Sequence, residues 1–161
     1  MGTLVETKKV TGRRELHFAT IDEVLAEAER LASGPVTQLG NWSLGEMCDH
    51  LARSLDSATD DNQFKPGLLF KIIGPFLKKT MITKTIPAGF KQSENMKPIF
   101  APTEGTTTEA GLARLRTAVE RFKAGPLPER SPTFGKMSRD DWHNFHCRHA
   151  EMHLSFILPG N

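Results

Sequence analysis

Apolar positions in this chain recur mostly every three or four residues, the repeat of helices that bury one face. Thr20-Ile21-Asp22-Glu23 is a capping-box pattern, with Thr20 closing a helix start and Glu23 reaching back. Behind it Ile21, Val24, Leu25, Ala28 and Leu31 share a face, and Gly34-Pro35 ends the run. Ser43 and Glu46 form a second box. The helix it opens runs from 44 to about 59, with Leu44, Met47, Leu51, Leu55 and Ala58 turned inward and Asp60-Asp61-Asn62 at the exit. Residues 64–82 read as an apolar helix that Gly74-Pro75 should break or kink. Residues 83–105, with Pro87, Gly89, Pro98, Pro102 and Gly105, form a long connection. A connection of that length is often functional, though a plain surface crossover explains it equally well. Thr106 and Glu109 offer a third box, before a stripe of Leu112, Leu115, Val119 and Phe122 that Gly125-Pro126 closes. After a second proline-containing link, Ser138 caps the last helix, Asp140 and Asp141 suit its first turn, and Leu158-Pro159-Gly160 ends it. No stretch alternates as a strand does. The pattern therefore predicts an all-α protein, four to five helices packed as a bundle.

Length and composition narrow the picture without redirecting it. With 161 residues, a single domain spanning 1–161 is expected, residues 1–19 forming an extension in which Leu16-His17-Phe18 packs on the body. The net charge is only +2, which gives no argument for nucleic acid or for an acidic partner, and no nucleic acid is expected. Cys48 and Cys147 are no disulfide framework, and a reducing cytoplasm suits them. The N-terminus lacks a signal-peptide pattern, and Met1-Gly2 is followed by Glu at position 6 rather than a myristoylation Ser or Thr. The longest apolar stretch, Leu68 to Leu77, is interrupted by Lys71, Gly74 and Pro75 and is too short to span a bilayer. It is expected to pack in the core or along a crossover, and no membrane partner is expected.

The chemistry concentrates in Ser138–Leu158, which holds four of the six histidines, at 143, 146, 149 and 153. At about 100° per residue, His146, His149 and His153 fall within about 60° on one helix face. His149 and His153, four apart, can aim two imidazoles at one point. A third ligand must come from elsewhere, and His50, at the edge of an inward stripe, is the candidate. Three histidines with one position free is the arrangement of a catalytic zinc site. His146 competes as a ligand or as a proton carrier, His143 is expected in solvent, and His17 is expected to be structural. A lone His-x-x-x-His is common by chance, so the hypothesis rests on the pair together with His50. Glu46, Asp49 and Glu151 lie near these histidines, but ordinary surface or capping roles fit each better. Arg148 is expected to be solvated, and Cys48 and Cys147 to be core residues facing away from the ligands.

These residues also carry a family resemblance. The chain resembles the DUF1569 family of the DinB/YfiT-like superfamily of metalloenzymes. The matching pieces are Arg13-Arg14-Glu15-Leu16-His17-Phe18, the Trp42–Leu51 stretch, and His146-Cys147-Arg148-His149-Ala150-Glu151-Met152-His153-Leu154. The resemblance implies a four-helix bundle of up-down-down-up topology with a long crossover. It also implies a divalent metal held by His50, His149 and His153, with His146 outside the triad. Met152 stands where many members have a further His, and Ile157 where a Gln is frequent. Characterised relatives in the superfamily include thiol-dependent transferases and an isomerase. The expected function is accordingly a metal-dependent enzyme, with zinc or nickel activating water or a low-molecular-weight thiol against a small-molecule substrate. The alternatives are a non-catalytic bundle with structural histidines or a structural metal, and a small-molecule-binding module that dimerises.

Overall fold

The computed structural model describes residues 4–60 and 64–160. Met1 and Gly2, and the helix exit expected at Asp61-Asn62, lie outside them. Among the described residues the chain is mostly helical: α1 (Ile21–Ala32), α2 (Leu44–Thr59), α3 (Leu68–Thr83), a single turn α4 (Lys97–Phe100), α5 (Thr108–Ala124) and α6 (Arg139–Leu154). The core is drawn chiefly from α1, α2, α5 and α6, through Val24, Leu31, Cys48, Leu55, Leu115, Val119, Cys147 and Leu154.

Helix starts follow their capping chemistry. Ser43 and Ser138 each accept the N–H three residues on, while the side chains of Glu46 and Asp141 return to their backbone N–H. At α1 only half of the expected box forms. Thr20 accepts from Glu23 N–H, but the Glu23 carboxylate takes the N–H of Ala19 instead. At α5 the cap is Thr107 rather than Thr106, accepting from Ala110 N–H.

Three further expectations are corrected. Two small antiparallel pairs are present, although no alternating pattern announced them. β1 (Val36–Gln38) pairs with β4 (Ile157–Pro159), and β2 (Arg130–Ser131) with β3 (Gly135–Lys136). Strands of two or three residues are too short to show a period of two. Pro75 does not break α3, which runs on through it. The carbonyl deprived of a partner belongs to Lys71, at an exposed turn where water can serve it. Leu68–Phe76 does not enter the core: Leu68, Leu69, Ile72 and Phe76 are 74%, 65%, 57% and 83% exposed.

α2 and α5 approach closely at a pair of glycines. A Cβ on Gly111 would strike the backbone carbonyl of Gly45, and one on Gly45 would strike the backbone of Thr106 and Thr107. No side-chain rotation relieves a backbone clash. Gly111→Ala gains about 1 kcal/mol of helix propensity, but overpacking costs about 1–3 kcal/mol and here falls on rigid atoms. With the cost at the upper end of that range, the expected result is a net loss of about 2 kcal/mol in urea unfolding. A variant as stable as the parent would show that the helices separate freely.

The extension before α1 is tied to α6. Phe18 is buried, its N–H donates to the Glu151 carboxylate (2.7 Å), and its carbonyl accepts from the Arg148 guanidinium (2.6 Å). Arg148 is thus buried and ion-paired to Glu151 at 2.6 Å, not solvated as expected. An acceptor on its own helix and the Phe18 carbonyl offset part of its desolvation, while its Nε has no hydrogen-bond partner among the described residues.

Candidate metal centre

α2 and α6 bring His50, His149 and His153 together. The three Nε2 atoms form a triangle with sides of 3.3 Å (His50–His149), 3.0 Å (His50–His153) and 3.0 Å (His149–His153). A tetrahedral ion with nitrogens at about 2.05 Å holds them about 3.3 Å apart. The spacing therefore suits one small cation bound by all three.

The ring protons are placed to match. His50 Nδ1 lies 2.6 Å from the Phe100 carbonyl, which can only accept. The proton of neutral His50 therefore sits on Nδ1, and its Nε2 lone pair faces the centre. His149 Nδ1 is 3.3 Å from the Ser54 hydroxyl. Burial, the largest influence, pushes His50 down to about 4 against the opposing pull of the Phe100 carbonyl and Asp49. Burial, then the neighbouring histidines, holds His149 and His153 well below the ordinary imidazole value. All three are neutral at pH 7, the form that ligates. Without a cation, three neutral imidazoles confront one another at this spacing.

Aromatic rings hold the imidazoles in plane. Trp42 stacks on His153 (5.5 Å between centroids, 21°) and tilts over His50 (4.8 Å), while Phe145 stacks on His149 (5.8 Å, 5°). The β1–β4 pairing positions Trp42. It anchors the segment leading into α2 against the chain end, with Leu39 N–H donating to the Phe156 carbonyl at 2.9 Å.

Asp49 organises the other side. It is fully buried; its Oδ2 accepts from Thr103 N–H (2.8 Å) and Arg53 Nε (3.0 Å), and its Oδ1 meets Arg114. Burial pushes its carboxyl up, but the Thr103 N–H, Arg53 and Arg114 together hold it below the usual range. Glu46 adds a bond from Gly105 N–H at 2.9 Å. These contacts dock the end of the 83–105 connection on α2 and so present the Phe100 carbonyl to His50. Asp49 is thus a supporting group rather than the surface carboxylate expected.

The remaining expected groups lie outside the triangle. His146 is buried among Phe122, Trp142 and Phe145, its Nε2 without a hydrogen-bond partner among the described residues, and it lines a small void with His149, Leu51, Leu55 and Leu115. Burial pushes it down to about 3. His143 is half-buried, 3.3 Å from the Ala19 carbonyl. His17 is exposed, 3.6 Å from Glu151. Cys48 and Cys147 are buried free thiols, raised by that burial to about 12 and about 11, and so remain protonated at neutral pH. Trp42 and the Phe100 carbonyl were not singled out from sequence. Trp42 stands in the motif preceding His50, but a backbone carbonyl has no sequence signature.

His146 yields a pH prediction. Its folded value is below the ordinary 6.5, so the unfolded chain takes the proton first. Stability should fall as pH drops below about 6.5, by about 1.4 kcal/mol per pH unit for this group, until about pH 3. Comparing wild type with His146→Leu by urea unfolding at pH 8 and pH 5 isolates it. The leucine variant should gain about 2 kcal/mol on the wild type between the two. An equal difference at both would mean that His146 does not resist protonation.

Fold and cluster together define a helical protein with a three-histidine site suited to a divalent cation. The chain belongs to the DUF1569 family, described as a protein of unknown function, whose model matches residues 10–160. No curated protein and no solved structure matches it.

Proposed function

We propose that this protein is a divalent-metal-dependent enzyme and a member of the DinB/YfiT-like superfamily. On this reading it is one domain, with α1, α2, α5 and α6 as an up-down-down-up four-helix bundle and the segment between α2 and α5 as its crossover. His50, His149 and His153 hold zinc or nickel. The carrying observation is the triangle of three Nε2 atoms, with His50 fixed by the Phe100 carbonyl in its ligating tautomer.

When bound, such an ion lowers the pKa of a coordinated water or thiol, so that a nucleophile forms at neutral pH. The protein's own residues supply the orientation. The Phe100 carbonyl keeps the proton on His50 Nδ1, Ser54 steadies His149, and Trp42 and Phe145 fix the ring planes. His149 and His153 are each partly exposed, and on this reading that side is where a small molecule reaches the cluster. That openness favours a catalytic site over a closed structural one. On this reading His146 is the proton carrier, and it shares a small void with His149. Two unpaired thiols suit a reducing cytoplasm.

The test is elemental analysis of protein purified without chelator or histidine tag, followed by titration of the cobalt-loaded form with a small thiol. One equivalent of zinc or nickel and a thiol-dependent change in the cobalt spectrum are expected. Absence of metal, even after zinc or nickel is supplied, would overturn the reading. A bound metal indifferent to thiol would leave water as the nucleophile to assay. Turnover unchanged in His146→Leu would remove that residue from the mechanism.

A further inference from the structure

α3 buries a single residue, Gly74, which meets the Thr133 carbonyl in the β2–β3 turn. On the same side Lys78 bonds the Lys136 carbonyl (2.6 Å) and Asp141 at the start of α6 (2.6 Å). The helix is thus held by one edge. At about 100° per residue, Leu69, Ile72 and Phe76 fall within about 60° of one another on the side opposite Gly74. Leu68 and Ile73 flank them, and Phe90 extends the surface through its ring contact with Phe70. A soluble surface rarely leaves so large a contiguous apolar patch bare without a partner.

The charge around this patch indicates the partner. Residues 64–93 contain six lysines and no Asp, Glu or Arg, in a chain whose net charge is +2, so the rest of the chain is net acidic. Lys65, Lys71, Lys79, Lys84 and Lys91 are exposed, and none is ion-paired among the described residues. A second copy docked face to face would set these lysines against their own kind. An anionic lipid surface complements both features, since lysines meet phosphates while the apolar face enters the headgroup–acyl boundary. No described helix is long and apolar enough to cross a membrane, and lying on one requires no such length.

We propose that α3 and the lysines around it dock this protein peripherally on an anionic phospholipid bilayer. The test is co-sedimentation of the full chain with vesicles of phosphatidylcholine, alone or with about one-third phosphatidylglycerol. Binding is expected only to the anionic vesicles and should weaken as salt rises. Ile72→Glu/Phe76→Glu, at positions 57% and 83% exposed, should keep its circular dichroism and metal content yet bind roughly tenfold less or worse. Lys71→Gln/Lys79→Gln/Lys84→Gln should lose roughly tenfold on anionic vesicles. Wild-type protein remaining in the supernatant at low salt would overturn the proposal, as would binding that survives the double glutamate variant. A dimer that this variant splits, without vesicle binding by the wild type, would also overturn it and assign the face to a second copy.

Discussion

If the proposed site holds metal, His153→Ala is expected to abolish its stoichiometric binding while the protein stays helical. His153 Nε2 is 3.0 Å from both other ligand atoms, so its removal opens the triangle and leaves a two-nitrogen site. A four-ligand zinc site is worth about 10–16 kcal/mol. One ligand's share is about 2.5–4 kcal/mol, or roughly a hundred- to a thousandfold in affinity. The apo protein should stay folded, because His153 is half-buried and its ring contacts are with Trp42 and the two other histidines rather than the apolar core. The sharpest readout is the melting temperature with and without zinc. A ligand that binds only the folded state raises it, so the wild type should gain with zinc and the variant should not. His149→Ala should behave alike. Metal retained one-to-one in both variants would show that the triangle is a packing arrangement and not a site.

The clustering of His50, His149 and His153 was legible in the sequence because it depends on helix periodicity. His149 and His153 are four apart on a helix that Ser138 starts, and His50 borders the stripe of one that Ser43 starts, so both helices were bounded before their packing was known. What supports the ligands was much less visible. The Phe100 carbonyl comes from a single helical turn inside the long connection, and Asp49 looked like any helix-surface carboxylate. Its role depends on Thr103 and Arg114, 54 and 65 residues away. Local pattern carries no record of such long-range bonds. α3 shows the opposite limit. An apolar run predicts that a surface wants cover, but not whether this chain supplies it. Here the inner edge is set by Gly74, Lys78 and Met81, and Leu68, Leu69, Ile72 and Phe76 face out.

Asp49→Ala loosens both the fold and the metal site. Removing the carboxylate strands the Thr103 N–H and leaves Arg53 and Arg114 with only the more distant Asp56 as counter-charge. Breaking a buried pair costs about 3–5 kcal/mol. The low end, about 3 kcal/mol, applies here, because Arg53 and Arg114 are 24% and 44% exposed and can turn to water. The second consequence reaches the metal. Thr103 is three residues beyond Phe100, so freeing it slackens the carbonyl that orients His50. Loss of such an orienting contact typically costs about 10–100-fold in metal affinity. Asp49→Asn separates the two effects, since an amide oxygen can still accept from Thr103 while the charge is gone. It should recover most of the metal affinity and only part of the stability. The pH dependence follows from the lowered carboxyl value: its contribution is present above the ordinary aspartate range and is lost as pH falls through the folded value. Zinc titrations with a competing chelator, paired with urea unfolding, measure both quantities on the same samples. Full metal affinity in the alanine variant would show that the 83–105 connection holds the Phe100 carbonyl in place by itself.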